Sequence, residues 1–218
     1  MREHPVTQTI LKLVIYSSVL ALVAHLIYLD AFQQDVLVKF SESTYTEWSQ
    51  VGCLVLMILF FLGAAIIDQA GQRLSILMIG ATVVALIREF NNFFNDQVFD
   101  GAWQTLAVVA AVTTGWIYHR YTGSFKIPFT RFIQSSSCGV MMAGFITTFV
   151  FSRLFGRTIF WQAVMEEQYF RSVKNAAEEG IELLGYGLML LGAIEYFYYT
   201  LKRKNRSEIG GSSFAGKI

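Results

Sequence analysis

Residues 50–67 read QVGCLVLMILFFLGAAII, eighteen positions without a charge. A hydrocarbon layer about 30 Å thick takes about 20 apolar residues of helix, because no water is available there and every backbone N–H must find its acceptor within its own segment. A run this long and this apolar is a membrane span rather than the buried helix of a soluble domain. The same criterion marks windows at 9–29, 73–94, 102–119, 135–154 and 176–200. The expectation is therefore an all-α bundle of about six transmembrane helices.

The composition agrees. Of 218 residues, 54% are hydrophobic and 15% charged, and mean hydropathy is +0.47, which places the chain outside the range of ordinary soluble domains. Once the spans are subtracted, no connection is long enough for a separate soluble core. A single membrane domain over 1–205 is expected, with a Gly/Ser-rich disordered cytoplasmic tail over 206–218. Segment 155–175 mixes Phe160, Trp161, Tyr169 and Phe170 with Arg157, Glu166, Glu167 and Arg171, a pattern suited to the headgroup level. The first span follows Arg2 and Lys12 without an A-x-A site, and reads as an uncleaved signal anchor.

Charge sets the expected orientation. With six spans, the N-terminus, the second and fourth connections and the C-terminus share a side. This side holds eleven of the seventeen basic residues, among them Arg73, Arg120, Lys126, Arg131 and the run Lys202-Arg203-Lys204. The positive-inside rule then puts both termini in the cytoplasm. Twelve of the sixteen acids fall on the other side, including Asp30, Glu47, Glu89 and Glu182. The net charge of +1 and its segregation give no basis for a nucleic-acid partner.

Those outer acids make the candidate site. A charge within the membrane boundary costs about 2.5–3.5 kcal/mol unless it finds a partner or water. Residues 88–96 carry Arg88, Glu89, Asn92 and Asp96, with the acids and Asn92 at helical spacing. Residues 175–186 stack Asn175, Glu178 or Glu179, Glu182 and Tyr186 along one side, while Gly180, Gly185, Gly187 and Gly192 leave room for a neighbouring helix. Glu47 and Gln50 enter from the same side, and His25 and Asp30 leave by it. Two readings fit. In one, these are interface residues wetted by the exterior, with Arg88 bridging to Glu89 or Glu182. In the other they line an outward-facing acidic cavity that binds or passes a cation or proton, or grips a polar lipid head group, with Glu178, Glu182 and Glu89 as binding groups and Arg88 as counter-ion.

Other chemistries find less support. A bis-histidine haem needs two ligands at one depth, but His25 and His119 lie at opposite ends of their spans and His4 is terminal, so no cofactor is expected. Ser135-Ser136-Ser137 has no histidine or aspartate beside it and reads as helix-packing serines. Cys53 and Cys138 sit in apolar stretches and read as small core residues. Two rivals to the cation reading stay open: a membrane enzyme that uses a carboxylate or metal site on a lipid or lipid-linked substrate, and a non-catalytic subunit or scaffold that holds another membrane protein.

The motifs Thr46-Glu47-Trp48-Ser49-Gln50, Arg88-Glu89 and Glu178-Glu179-Gly180-Ile181-Glu182-Leu183-Leu184, each at the outer end of a span, resemble those of a group of uncharacterised bacterial six-span membrane proteins. The resemblance implies a bacterial inner-membrane setting and carries no activity; membrane lipids are the partners expected of the spans themselves.

Overall fold

The computed structural model of the chain describes residues 5–32, 40, 44–121 and 123–215, and the side chains of these except Pro5 and 205–215. Of the ionisable groups weighed above, Arg2, Glu3, His4, Asp35, Lys39, Glu42 and Lys217, and the side chains of Arg206 and Glu208, lie outside the described residues. The described chain is all helix, with no strand. Five of its helical segments are long and apolar enough to cross a membrane: Val6–Ala31, Tyr45–Ile67, Gln69–Glu89, Ser136–Phe155 and Arg171–Lys204. The expected fourth span is present as a helix, α5 (Ala102–Arg120), but Gln104, Thr105, Thr113, Thr114 and His119 dilute its apolar character, and it falls outside this set.

Contacts divide the chain into two compact units, Met1–Gln50 with Met142–Leu191 and Val51–Met141 with Gly192–Ile218. In the first, α1 (Pro5–Ala31) and the start of α2 (Tyr45–Ile67) are tied by a capping arrangement. Thr44 Oγ1 accepts the Glu47 N–H at 3.3 Å, and the buried Asp30 carboxylate accepts the N–H groups of Tyr45 and Thr46 at 2.8 and 2.7 Å and the Thr46 hydroxyl. The first N–H groups of a helix have no partner within it, so a carboxylate here satisfies them and meets the positive end of the helix dipole. This is why α2 begins at Tyr45, five residues before the apolar run.

The segment Ser136–Phe155 is not a uniform α-helix. After α7 (Ser136–Ile146) the backbone widens into a π-helical turn at Thr147–Phe151 and closes again as α8 (Ser152–Phe155). Two short turns follow, α9 (Thr158–Met165) and a 3-10 turn at Glu166–Gln168, with Trp161 Nε1 donating to the Phe155 carbonyl at 2.9 Å. The last helix, α10 (Arg171–Ala215), starts before the expected 176 and continues to Ala215, inside the segment read as a disordered tail, whose residues 216–218 lie outside the described residues. Within the first unit, α10 shows one glycine face to α1, with Gly180 against Ile27 and Gly187 against Val19 and Val23, and another to α7 and the π turn. A Cβ on Gly185 would collide with Thr148 Oγ1, and one on Gly144 would come within 2.6 Å of the Gly185 carbonyl oxygen. The close approach read from the glycines of residues 180–187 is thus what the backbone does.

In the second unit, α3 (Gln72–Glu89) pairs with α5, Gly80 lying against Thr114 and Arg73 donating from Nε to the Tyr121 carbonyl at 2.7 Å while stacking over Tyr118. The window read as 73–94 stops early. Phe90 leaves helical geometry, and residues 91–97 form a separate short helix, α4 (Asn91–Gln97), that packs on α5. Gly101, at φ 89°, makes the turn into α5, and its N–H is held by Asn95 Oδ1 at 3.1 Å. That left-handed conformation suits glycine, which has no Cβ to clash. The fourth connection, which carries Lys126 and Arg131, contains an amphipathic helix, α6 (Lys126–Ile133). Pro128 lies in its first turn, where a missing N–H removes no helical bond.

Candidate functional site

Five of the expected site residues gather in the first unit. Gln50 is fully buried, and its Nε2 donates to Glu179 Oε2 at 3.0 Å and lies 3.3 Å from the Glu179 carbonyl oxygen. Glu178 sits against Gly156, so closely that a Cβ there would lie 2.6 Å from the carboxyl carbon. Its two oxygens take Arg153 Nη1 at 3.1 Å and Lys174 Nζ, the latter one turn earlier on α10. Glu182, 3% exposed, takes Arg153 Nη2 on Oε1 at 2.9 Å, and Ser152 Oγ lies 3.2 Å from the same oxygen. Tyr186 is buried edge-on to Phe149.

The π turn belongs to this arrangement. Thr148, fully buried within it, donates from Oγ1 to the Glu182 carbonyl at 3.3 Å, and Ser152 follows it directly. Wide turns of this kind recur at functional positions, since they displace a side chain from the ordinary helical face. All the contributing segments are ends of helices: Asp30 closes α1, Thr44 to Gln50 open α2, residues 148–153 lie at the end of the segment Ser136–Phe155, and residues 174–182 open α10. The connectivity thus delivers Gln50, Glu178, Glu179 and Glu182 to one end of the unit.

Glu47 and Asn175 are half-buried in the same unit, and Glu47 contributes its N–H to the Thr44 cap. The remaining expected residues, Arg88, Glu89, Asn92 and Asp96, belong to the second unit. There Arg88 Nη2 pairs with Glu89 Oε1 at 2.8 Å, while Asn92 and Asp96 are exposed on α4, beyond the break at Phe90, so no continuous helix carries the periodicity read across 89–96.

Arg153, Ser152, Thr148 and Lys174 are neighbours of these acids that the sequence reading did not include among the candidate site residues. Arg153 pairs with both Glu178 and Glu182, and Lys174 with Glu178 as well. Lys174 was legible in principle, because it precedes Glu178 by four residues on one helix. Arg153 and Ser152 lie far away in sequence, and nothing local announces their pairing. Among the described residues, no three His, Cys, Asp or Glu side chains converge in a metal-binding arrangement.

One atom in this site is unsatisfied: Gln50 Oε1 is buried without a hydrogen-bond partner. The orientation of the amide is not arbitrary. Its NH₂ faces two acceptors of Glu179, and a flipped amide would set oxygen against oxygen. The carbonyl is therefore the group left over, and a buried acceptor without a donor costs about 1–3 kcal/mol. The chain matches no protein-family model, no curated protein and no solved structure.

Proposed function

We propose that the chain is a multi-pass membrane protein of six spans with both termini in the cytoplasm of a bacterial cell, and that the first unit binds a small hydrogen-bond-donating cation beside Gln50 and Glu179. The single observation that carries the binding reading is the orphaned Gln50 carbonyl. It needs an N–H or O–H donor, and the carboxylate nearest to it is that of Glu179, which already accepts from the same amide. A primary ammonium group, free or on a lipid head group, or a hydrated proton meets both requirements at once: positive charge and a donated hydrogen.

The membrane reading is supported by what the apolar helices expose. Of the apolar window in α1 only 6% is buried, and Leu11, Leu13 and Leu22 all stand out from the surface. In water such a face is a large hydrophobic patch, whereas against acyl chains it is the expected surface. For the sixth span, support comes from the antiparallel pairing of α5 along α3, together with the exposed Val108, Val109, Val112 and Trp116. A helix that runs beside a span over its length, with valines outward, crosses with it. Six spans return the C-terminus to the side of the N-terminus, and the basic bias makes that side cytoplasmic.

The test uses the full chain in phosphatidylcholine nanodiscs, titrated with ethylammonium chloride and, separately, tetramethylammonium chloride. Ethylammonium should bind and tetramethylammonium, which has no N–H, should not. Gln50→Leu and Glu179→Gln should each weaken ethylammonium binding about tenfold, the loss of one charge-assisted hydrogen bond. Equal binding of the two cations, or no effect of Gln50→Leu on a protein that still folds, would overturn the proposal.

A further inference from the structure

A recess with a largely apolar wall, lined also by Asp68, Arg131 and Arg203, lies wholly in the other unit, where α6, Asp68 and the end of α10 come together. We infer that it is a site for a phosphate-bearing anion, with Arg131 and Arg203 as its ligands. Its inner space is about 20 Å³, above the ~10–15 Å³ that one water needs, so an oxygen-sized group fits at the floor and the rest of a larger anion stands in the mouth.

The lining supplies donors and positive charge. Arg203 is held by Asp68, a contact that cancels one charge and fixes the guanidinium, leaving its other N–H groups for a ligand. Arg131 is exposed and has no partner among the described residues, and neither has the Tyr199 hydroxyl. Two arginines and one aspartate leave a surplus of one positive charge. The serine and threonine hydroxyls of the wall are already committed, Ser135 to the Phe132 carbonyl at 2.6 Å and Thr200 to the Tyr196 carbonyl at 2.9 Å. The free donors are thus the two guanidinium groups and one phenol, and guanidinium is the group whose planar fork matches two phosphate oxygens.

The setting favours a phosphate over other anions. On α6 the exposed Ile127, Phe129 and Ile133 accompany Lys126 and Arg131, the pattern of a helix lying at the boundary of acyl chains and head groups. Phosphate is the anion that such a level presents at high density. A phosphodiester head group and free inorganic phosphate share the chemistry, and the experiment separates them.

The full chain in phosphatidylcholine nanodiscs is titrated with phosphatidylglycerol, and retained lipids are counted by native mass spectrometry. A parallel titration uses inorganic phosphate. One retained phosphatidylglycerol per chain is expected, weakened about fivefold in Arg131→Gln and unchanged in Lys126→Gln, which removes an equal charge from the same helix. Arg131→Lys keeps the charge without the fork and should give an intermediate loss, so the comparison survives poor folding of the glutamine variant. Saturation by inorganic phosphate with the same Arg131 dependence identifies the free anion as the ligand. Equal losses in the Arg131 and Lys126 variants for both ligands would leave only general surface attraction and overturn the inference.

Discussion

Glu182 and Gln50 sit in the same unit, both buried, and the structure divides their roles. The Glu182 carboxylate has Arg153 and Ser152 on one oxygen, so its charge is matched by partners that the fold itself supplies. Removing one member of a buried ion pair leaves the other uncompensated, at about 3–5 kcal/mol when both are buried. Arg153 is half exposed, which lowers that figure. Glu182→Gln should accordingly destabilise the protein by about 1–3 kcal/mol in a denaturant titration, with cation binding at Gln50 retained in the folded fraction. A variant as stable as the parent but unable to bind would instead give Glu182 the ligand role that the sequence suggested. The sequence could show that residues 178, 179 and 182 are acids on one face of a helix. It could not show which of them is satisfied, because Arg153 and Ser152 approach from another segment through the π turn.

At the level of elements, the close crossing of α7 and the π turn on α10 depends on Gly144 and Gly185 having no side chains. Gly185→Val would drive a branched side chain into Thr148, and overpacking of this kind costs about 1–3 kcal/mol. A thermal melt in detergent should show the loss, and Gly139→Val, which meets open space on the same α7 segment, should not. Helix centres were readable from apolar runs, but ends were not. The start of α2 is set by Asp30 and Thr44, outside its apolar run, and the end of α3 by a single residue, Phe90, inside an apparently continuous pattern. α6 escaped notice because its proline reads as punctuation until its place in the first turn is known.

For the whole molecule, the number of crossings decides which side the tail occupies. If α5 spans, reporter fusions after Lys204 and within the N-terminal residues should both report the cytoplasm, and a fusion at Gly101 the exterior. Opposite readings at the two ends would leave five crossings and place α5 along the surface. Hydropathy alone could not resolve this: Thr114 counts as polar although it lies against Gly80 of α3, while Gln104, Thr105 and Thr113 are exposed. The basic bias of the sequence bears on direction and not on number.

The widened turn at Thr147–Phe151 holds one residue more than the helix on either side requires. Each residue of an α-helix advances the chain by about 100° around the axis, so this surplus sets the angular phase of everything downstream, Ser152 and Arg153 included. Deleting a single residue there would straighten the helix and swing the guanidinium away from Glu178 and Glu182 without altering any member of the pairing. The electrostatics of this half of the protein are therefore governed by a count of residues, in a stretch of threonine, phenylalanine and valine that carries no charge at all.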